Sequence, residues 1–199
     1  MTEYWNHNTA YHTWILRRAA SGRHHCLDVG CGDGLLLQRL APVARTVTGI
    51  DVDQPALSRA RHRVAQFANV AVEHTSFEHF DPGPARFGII TFVASIHHMD
   101  FPAALQKARS LLLPGGELLI VGLAANKSLT DWMVSALATP FAFAGSRWHR
   151  ETRDIGLPVA QPQESLSEIS AAARQVLPGV SIRRAMYYRY LLRWRNCSS

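Results

Sequence analysis

Apolar and polar residues along the chain follow two alternating patterns, which predict strands and helices in turn. Short, largely apolar runs that end at glycine or polar residues are typical of buried strands, whereas apolar residues three and four apart are typical of helices. In chain order, the predicted strands are HCLDVG, TVTGID, NVAVEHT, FGIITFVAS and ELLIVGL. The helices between them are predicted at LLLQRLAPVA, QPALSRARHRVAQFA and FPAALQKARSLLL. Buried strands separated by helices predict an α/β fold with a parallel, doubly wound sheet.

The pattern changes after the fifth predicted strand. Residues 124–178 show no clear strand and two helical stretches, roughly 128–144 and 163–177, joined by a long polar segment that suits a lid or a substrate loop. The C-terminal VSIRRAMYYRYLLRWRN predicts an antiparallel hairpin that closes the sheet. We therefore predict one domain over residues 1–199, with a helical leader at 1–20, an α/β core at 21–123, a helical substrate or lid insert at 124–178 and a closing hairpin at 179–199.

Composition places the chain among ordinary globular domains. With 199 residues, 47% of them hydrophobic and 18% charged, the chain can bury one sizeable core. No apolar run reaches the roughly 18–20 residues that a membrane span requires, and the N-terminus does not have the pattern of a signal peptide. These observations predict a cytoplasmic protein. The cysteines, Cys26, Cys31 and Cys197, form neither a C-x-x-C pair nor a metal-ligand spacing, so we predict reduced thiols and no metal site.

The formal charge is +6, and arginine accounts for 19 of the 21 basic residues. Five arginines fall near the C-terminus: Arg183, Arg184, Arg189, Arg193 and Arg195. This cluster is compatible with a nucleic-acid docking face or with solvated arginines on one face of a strand pair. We favour the second interpretation, so nucleic acid is not an expected partner.

The stretch CLDVGCGDGLL holds the candidate binding motif. Its glycines are Gly30, Gly32 and Gly34, whereas a dinucleotide fingerprint requires a glycine at position 35, where this chain has leucine. A phosphate loop ending in G-K-[ST] is also missing, and only one lysine precedes residue 120. The spacing therefore argues against a nicotinamide oxidoreductase and against a nucleoside triphosphate site.

LDVGCGDG resembles the first motif of the class I S-adenosylmethionine-dependent methyltransferases. Further similar segments follow in the family's order: VTGIDVD, FGIITFVASIHHMD, LLLPGGELLIVG and RYLLRWRN, the last as in small bacterial members. The resemblance covers about residues 24–123 and 180–196. It implies a Rossmann-like, seven-stranded, mostly parallel sheet with a C-terminal antiparallel hairpin, and S-adenosyl-L-methionine as the cofactor.

The resemblance also implies roles for individual residues. Gly30 and Gly32 would let the main chain pass close to the amino acid tail and ribose of the cofactor, and Gly34 would begin the next helix tightly. Asp28 would orient the ammonium group, and Asp51, at the end of the second strand, would accept both ribose hydroxyls. The other implied cofactor-binding residues are Val52, Ser76, Phe77 and Val93.

Two positions depart from the family pattern. Ser76 stands where an acidic residue usually accepts the exocyclic amine of the adenine, with Phe77 next to it to stack on or flank the ring. Gly88 stands where the family often has aspartate. The serine slightly favours one alternative, a non-catalytic protein that only binds the cofactor.

Methyl transfer from a sulfonium is an in-line displacement that requires alignment and exclusion of water. An oxygen or nitrogen acceptor must also lose a proton, and histidine suits that role near neutral pH. His97 and His98, directly after the fourth strand, are the candidate catalytic residues, with packing or positioning as the alternative. His12, Tyr11 and His149 are weaker candidates.

Acceptor specificity is expected from the leader and the insert, where Trp5, Tyr11 and Trp148 are the candidate substrate residues. The segment VASIHH contains neither the Asn-Pro-Pro-Tyr nor the Pro-Cys sequence of base methylases. We therefore predict methyl transfer to an oxygen or nitrogen atom of a small-molecule acceptor by a monomer or homodimer. The alternative enzyme is an RNA or protein methyltransferase that uses the basic C-terminal strands.

Overall fold

The computed structural model describes residues 7–22, 24–125, 164–185 and 189–197. Its strands are β1 (His25–Val29), β2 (Thr46–Asp51), β3 (Val70–His74), β4 (Phe87–Val93), β5 (Leu112–Leu123), β6 (Ser181–Ala185) and β7 (Arg189–Arg195). Its α-helices are α1 (His12–Ala19), α2 (Leu35–Leu40), α3 (Gln54–Val64), α4 (Phe101–Leu111) and α5 (Leu166–Val176). Short 3-10 turns lie at Thr9–Tyr11 and Ile96–His98.

The strands form one seven-stranded sheet in the order β3-β2-β1-β4-β5-β7-β6. Strands β1 to β5 are parallel, and β7 pairs antiparallel with both β5 and β6. The predicted fold class is therefore confirmed. The order reverses between β1 and β4, and ligands of such sheets bind outside the carboxyl ends of the strands at this switch point.

Side chains on the two faces of the sheet form two separate cores. One core packs strand residues such as Leu27 and Phe92 against α4 and α5. The other packs neighbours on the opposite face, such as Cys26 and Ile89, against α1, α2 and α3. Since successive strand residues point to opposite faces, the central strands β1 and β4 are buried at nearly every position, whereas the outer strands β3 and β6 are mostly exposed.

The sequence explains where several helices begin and end. Asp53 caps α3 by accepting from the backbone N–H of Ala56 at 3.3 Å, and Asp100 caps α4 in the same way through Ala103 at 2.9 Å. Helix α2 stops at Leu40, earlier than predicted, because Pro42 cannot continue the helical hydrogen bonds. Of the two helices predicted within the insert, the second is α5, and the first lies outside the described residues.

Strand β5 begins five residues earlier than predicted, at Leu112 instead of residue 117. The PGG segment extends the strand, because its glycines pair with the residue that follows β7. Gly115 N–H donates to the Asn196 carbonyl at 2.7 Å, and Asn196 N–H donates to the Gly116 carbonyl at 2.8 Å. The register against β4 shifts at this point, which accommodates the extra residues.

The described part of the leader, residues 7–20, runs along the sheet from the carboxyl ends of the strands toward their amino ends. Before α1, the Asn8 side chain accepts two hydrogen bonds from Arg189, at 2.8 and 3.0 Å, and Arg189 pairs with Leu123 at the carboxyl end of β5. Near the end of α1, Arg18 lies 3.5 Å from Glu117, which is closer to the amino end of β5. The first described residues of the leader, around Asn8, are therefore at the edge where ligands bind. None of the helices in the described segments has the length and apolar character needed to cross a bilayer.

Candidate functional site

The loop between β1 and α2 is held in a conformation that glycine adopts easily. Gly30 and Gly34 have φ angles of +74° and +79°. A Cβ atom on Gly30 would lie 2.3 Å from the Cβ of Ser95, and one on Gly34 would lie 2.9 Å from the Cβ of Ala60. The close approach of Ser95 is therefore one structural reason for glycine at position 30, and its predicted contact with the cofactor stays a prediction. The predicted tight helix start at Gly34 agrees with its position as the N-cap of α2.

Asp51 binds the same loop from the end of β2. Its Oδ2 accepts the Gly32 N–H at 2.8 Å, and its Oδ1 accepts the Asp53 N–H at 2.9 Å. A carboxylate oxygen can accept more than one hydrogen bond, so each oxygen retains capacity for a hydroxyl. The carboxylate is thus oriented before any ligand arrives.

Val52 follows Asp51 and is 65% exposed, which is unusual for a large apolar side chain at a polar edge. This position offers apolar surface directly beside a carboxylate, as a nucleoside requires. Val93, at the end of β4, is half-buried against the core of α1 to α3. The cofactor roles of both valines stay predictions.

Asp28 lies beneath the loop with only 2% of its surface exposed. The Thr91 hydroxyl donates to its Oδ1 at 2.7 Å. Burial raises the pKa of Asp28 from 3.8 to about 7, the Thr91 bond opposes the rise, and the charge of Asp51 adds to it. The Asp28 carboxyl group therefore titrates near neutral pH.

Ser95 joins the end of β4 to the glycine loop. Its hydroxyl donates to the Val29 carbonyl at 2.5 Å, and its Cβ fills the space beside Gly30. The preceding Ala94 has a φ of +54°, a left-handed conformation that is costly for a residue with a Cβ. Sequence reasoning missed Ser95, because no local motif shows that it will contact a loop 65 residues earlier.

The turn after Ser95 carries the candidate catalytic histidines. His97 is half-buried and His98 is exposed, and their ring centroids are 4.1 Å apart. Because β4 lies next to β1 and Ser95 contacts Gly30, this turn is adjacent to the glycine loop. The structure thus brings His97 and His98 to the edge that holds Asp51.

The two residues predicted to contact the adenine, Ser76 and Phe77, have partners within the protein. The Ser76 hydroxyl is 2.8 Å from Nδ1 of His79 and caps the turn that follows, so it already has a local partner. The Phe77 ring is 3% exposed and packs edge-on against Phe92, with centroids 5.2 Å apart. Core packing therefore occupies the Phe77 ring in this structure, and its predicted place on or beside the adenine stays a prediction.

The leader supplies one described substrate candidate. Tyr11 ends the 3-10 turn at the start of the leader and is half-buried. Trp5, Trp148 and His149 lie outside the described residues. His12 is buried, 3.1 Å from the Arg39 guanidinium, and burial followed by the Arg39 charge lowers its pKa from 6.5 to about 3. His12 is thus a neutral structural residue, not the base it was considered to be.

These residues fit a cationic nucleoside without phosphate. Two carboxyl groups, Asp28 and Asp51, face one edge of the sheet with an exposed Val52 beside them. Carboxylates repel phosphate groups but suit an ammonium group and a ribose diol. Within the described segments, no group of three or more His, Cys, Asp or Glu residues is placed to hold a metal ion.

Comparisons with known proteins agree with this geometry. Residues 26–116 match a family model described as a methyltransferase domain. An uncharacterized methyltransferase of Mycobacterium tuberculosis is 33% identical over 98% of this chain and 98% of its own length. The chain belongs to the class I S-adenosylmethionine-dependent methyltransferases. This methyltransferase therefore has relatives that match it along its whole length, insert included.

Two further proteins are similar to this methyltransferase, the first in sequence over part of the chain and the second in fold. A ubiquinone biosynthesis O-methyltransferase of Aromatoleum aromaticum is 34% identical over 64% of this chain and 55% of its own. The N-methyltransferase NodS of Bradyrhizobium japonicum, solved with S-adenosyl-L-homocysteine, superimposes with a TM-score of 0.64 over 96% of this chain and 87% of its own. At 19% identity, the second likeness shows the fold alone.

Proposed function

We propose that this methyltransferase transfers a methyl group to an oxygen or nitrogen atom of a small-molecule acceptor. One observation carries the proposal: Ser95 connects the His97–His98 turn to the glycine loop. This contact places two imidazoles next to the residues assigned to the cofactor. The O-methyltransferase name of a relative that is 34% identical supports an oxygen acceptor.

In this proposal the protein binds and orients the cofactor and the acceptor, and it removes a proton from the acceptor. When bound, S-adenosylmethionine supplies a methyl group on a sulfonium, from which a neutral thioether leaves. Asp51 accepts hydrogen bonds from the ribose, and Asp28 faces the ammonium group. An unprotonated ring nitrogen of His97 or His98 accepts the proton of the acceptor. The protein also aligns the acceptor atom in line with the methyl group and the sulfur, and it excludes water from the site.

The leader is proposed to form the acceptor side of the site. The hydrogen bonds between Asn8 and Arg189 hold its first described residues at the carboxyl edge, and Tyr11 follows on that side. A site that is bounded on one side by the chain's own leader suits a small acceptor better than a polymer.

The C-terminal arginines give little support to an RNA-binding alternative. Arg193 pairs with Glu117, and Arg195 Nε donates to the Gly115 carbonyl at 3.2 Å. Arg193 and Arg195 pair with Leu119 and Glu117 of β5, roughly 13–20 Å before its carboxyl end at Leu123. These arginines therefore serve internal contacts on the side of the sheet away from the proposed chemistry.

The affinity for S-adenosylhomocysteine is expected to depend on pH through Asp28. Below its pKa of about 7, Asp28 holds a proton that an arriving ammonium group displaces, because the ammonium stabilises the carboxylate. Affinity should therefore be highest above about pH 7 and fall below it, by up to about tenfold per pH unit. Calorimetry between pH 5.5 and 7.5, in two buffers of different ionisation enthalpy, measures both the affinity and the released proton.

The two thiols near Asp28 do not produce the same profile. The carboxylate of Asp51 and the thiols of Cys26 and Cys31 face it, and burial raises the pKa of both thiols, that of Cys26 to about 12. Asp28→Asn should bind more weakly and show no proton release. A proton release that persists in Asp28→Asn would show that another group is responsible.

His97→Ala or His98→Ala is expected to lower the methyl-transfer rate by about 100-fold or more, whichever residue is the base. Affinity for S-adenosylhomocysteine should stay nearly unchanged in both variants. The measurement is transfer from labelled S-adenosylmethionine to a panel of phenols, amines and RNA, followed by single-turnover rates on the acceptor that is methylated. Methylation of RNA alone would overturn the small-molecule proposal, and full rates in both variants would return the histidines to a packing role.

A further inference from the structure

Arg63 on α3 is the only lysine or arginine that is buried among the described residues, at 7% exposure. Its guanidinium reaches the glycine loop rather than solvent. Nε donates to the Asp33 carbonyl at 3.0 Å, and Nη2 donates to the Asp33 carboxylate at 2.7 Å. Nη1 donates to the Gln38 side chain on α2 at 3.2 Å. One arginine thus binds both the main chain and the side chain of a single loop residue.

A buried ion pair of this kind contributes little net stability to the fold. Taking a guanidinium and a carboxylate out of water costs free energy that their attraction barely offsets, and apolar replacements are often as stable. The contact does fix geometry, because the planar guanidinium offers donors in a rigid fork. The value of the pair therefore lies in the geometry that it fixes.

Asp33 lies between two loop residues that meet other elements. On one side, Gly32 donates its N–H to Asp51 at 2.8 Å. On the other, Gly34 packs against Ala60, one turn before Arg63 on the same helix. A loop with three glycines has much conformational freedom to lose on ordering. Arg63 supplies the attachment between these two points.

We propose that Arg63 is a positioning residue for the cofactor loop, acting through Asp33. The contact holds the loop in the conformation that presents the Gly32 main chain to Asp51, so that both are arranged before the cofactor binds. Arg63 itself does not touch the cofactor. This inference rests on the proposed assignment of Asp51 and the glycine loop to cofactor binding.

The test compares Arg63→Met and Asp33→Asn with the wild type. Affinity for S-adenosylhomocysteine is measured by calorimetry well below the melting temperature of each variant, and amide hydrogen exchange is measured across residues 30–34. Each variant should bind about 10- to 100-fold more weakly, the range for hydrogen bonds to charged groups. Exchange of the loop amides should accelerate. The double variant should bind no more weakly than the worse single variant, because both changes remove one contact.

Arg61→Met is the matched control. Arg61 lies on the same helix but is exposed, and its contact is to the Val72 carbonyl at 3.3 Å, away from the loop. It should bind S-adenosylhomocysteine as the wild type does. Arg63→Lys, which keeps the charge but loses the fork, should recover only part of the affinity.

The outcomes separate this inference from the assignment it rests on. A lower melting temperature with unchanged affinity and loop exchange would make Arg63 merely structural and overturn the proposal. Should Arg63→Met fail to fold, Asp33→Asn removes the same charge pair at nearly constant shape and decides the question. If the wild type itself does not bind S-adenosylhomocysteine, the cofactor assignment fails first.

Discussion

Replacing Asp51 by alanine is expected to weaken S-adenosylhomocysteine binding by about 100-fold or more, the largest effect we expect on ligand affinity. Two ribose hydroxyls would lose a charged acceptor, and each such hydrogen bond contributes about 1.5–3 kcal/mol. The loop would also lose the acceptor of the Gly32 N–H, which lies 2.8 Å from Asp51. The first loss acts on the bound state and the second on the arrangement of the loop before binding, so calorimetric affinity is the measurement.

Asp53→Ala is the control for this substitution. Asp53 is the neighbouring acidic residue, and its side chain caps α3 through the Ala56 N–H. Its removal should cost about 1 kcal/mol of stability. Its backbone N–H still donates to Asp51, so ligand affinity should stay within about twofold, less than 0.5 kcal/mol. Equal losses of affinity in the two variants would assign the effect to helix capping and not to the Asp51 carboxylate.

Gly30→Ala is expected to be the most destabilising substitution in the loop. The φ of +74° costs a residue with a Cβ about 1–2 kcal/mol, and its Cβ would lie 2.3 Å from that of Ser95. Overpacking of this kind costs a further 1–3 kcal/mol or so. We therefore expect a loss of about 2–5 kcal/mol and a melting temperature lower by roughly 5–15 °C, as measured by thermal unfolding.

Gly83→Ala separates the two causes. Gly83 has a similar φ of +61°, but an added Cβ would meet no atom within 4 Å. It should therefore show only the conformational cost of about 1–2 kcal/mol. If the two variants lose the same stability, the close approach to Ser95 contributes nothing, and the connection between the glycine loop and the histidine turn is looser than the structure indicates.

The ends of the strands were predictable because they follow from local patterns. Asp28 and Asp51 were expected at the carboxyl ends of β1 and β2, and the structure places both there. The antiparallel C-terminal strands were also expected and are present. Each of these features depends on a few consecutive residues whose apolar or polar character alone identifies a buried strand and its end.

Partners that are distant along the chain were not predictable. Nothing in a single sequence distinguishes Arg63 from the 18 other arginines as the one buried against Asp33. No local motif indicates that Ser95 contacts Gly30, and none indicates that Phe77 packs against Phe92. His12 looked like a candidate base until burial beside Arg39 showed it to be neutral.

The amino-acid sequence by itself determined the element types, the α/β class and the glycine-and-aspartate motif, since hydrophobic period and turn residues are local properties. Only the tertiary structure decided which residues meet around that motif. Strands β1 and β4 become neighbours through the sheet order, and this brings Ser95 to Gly30 and the two histidines to the loop. Contacts of this kind depend on how elements pack in three dimensions, which the spacing of residues along one chain does not specify.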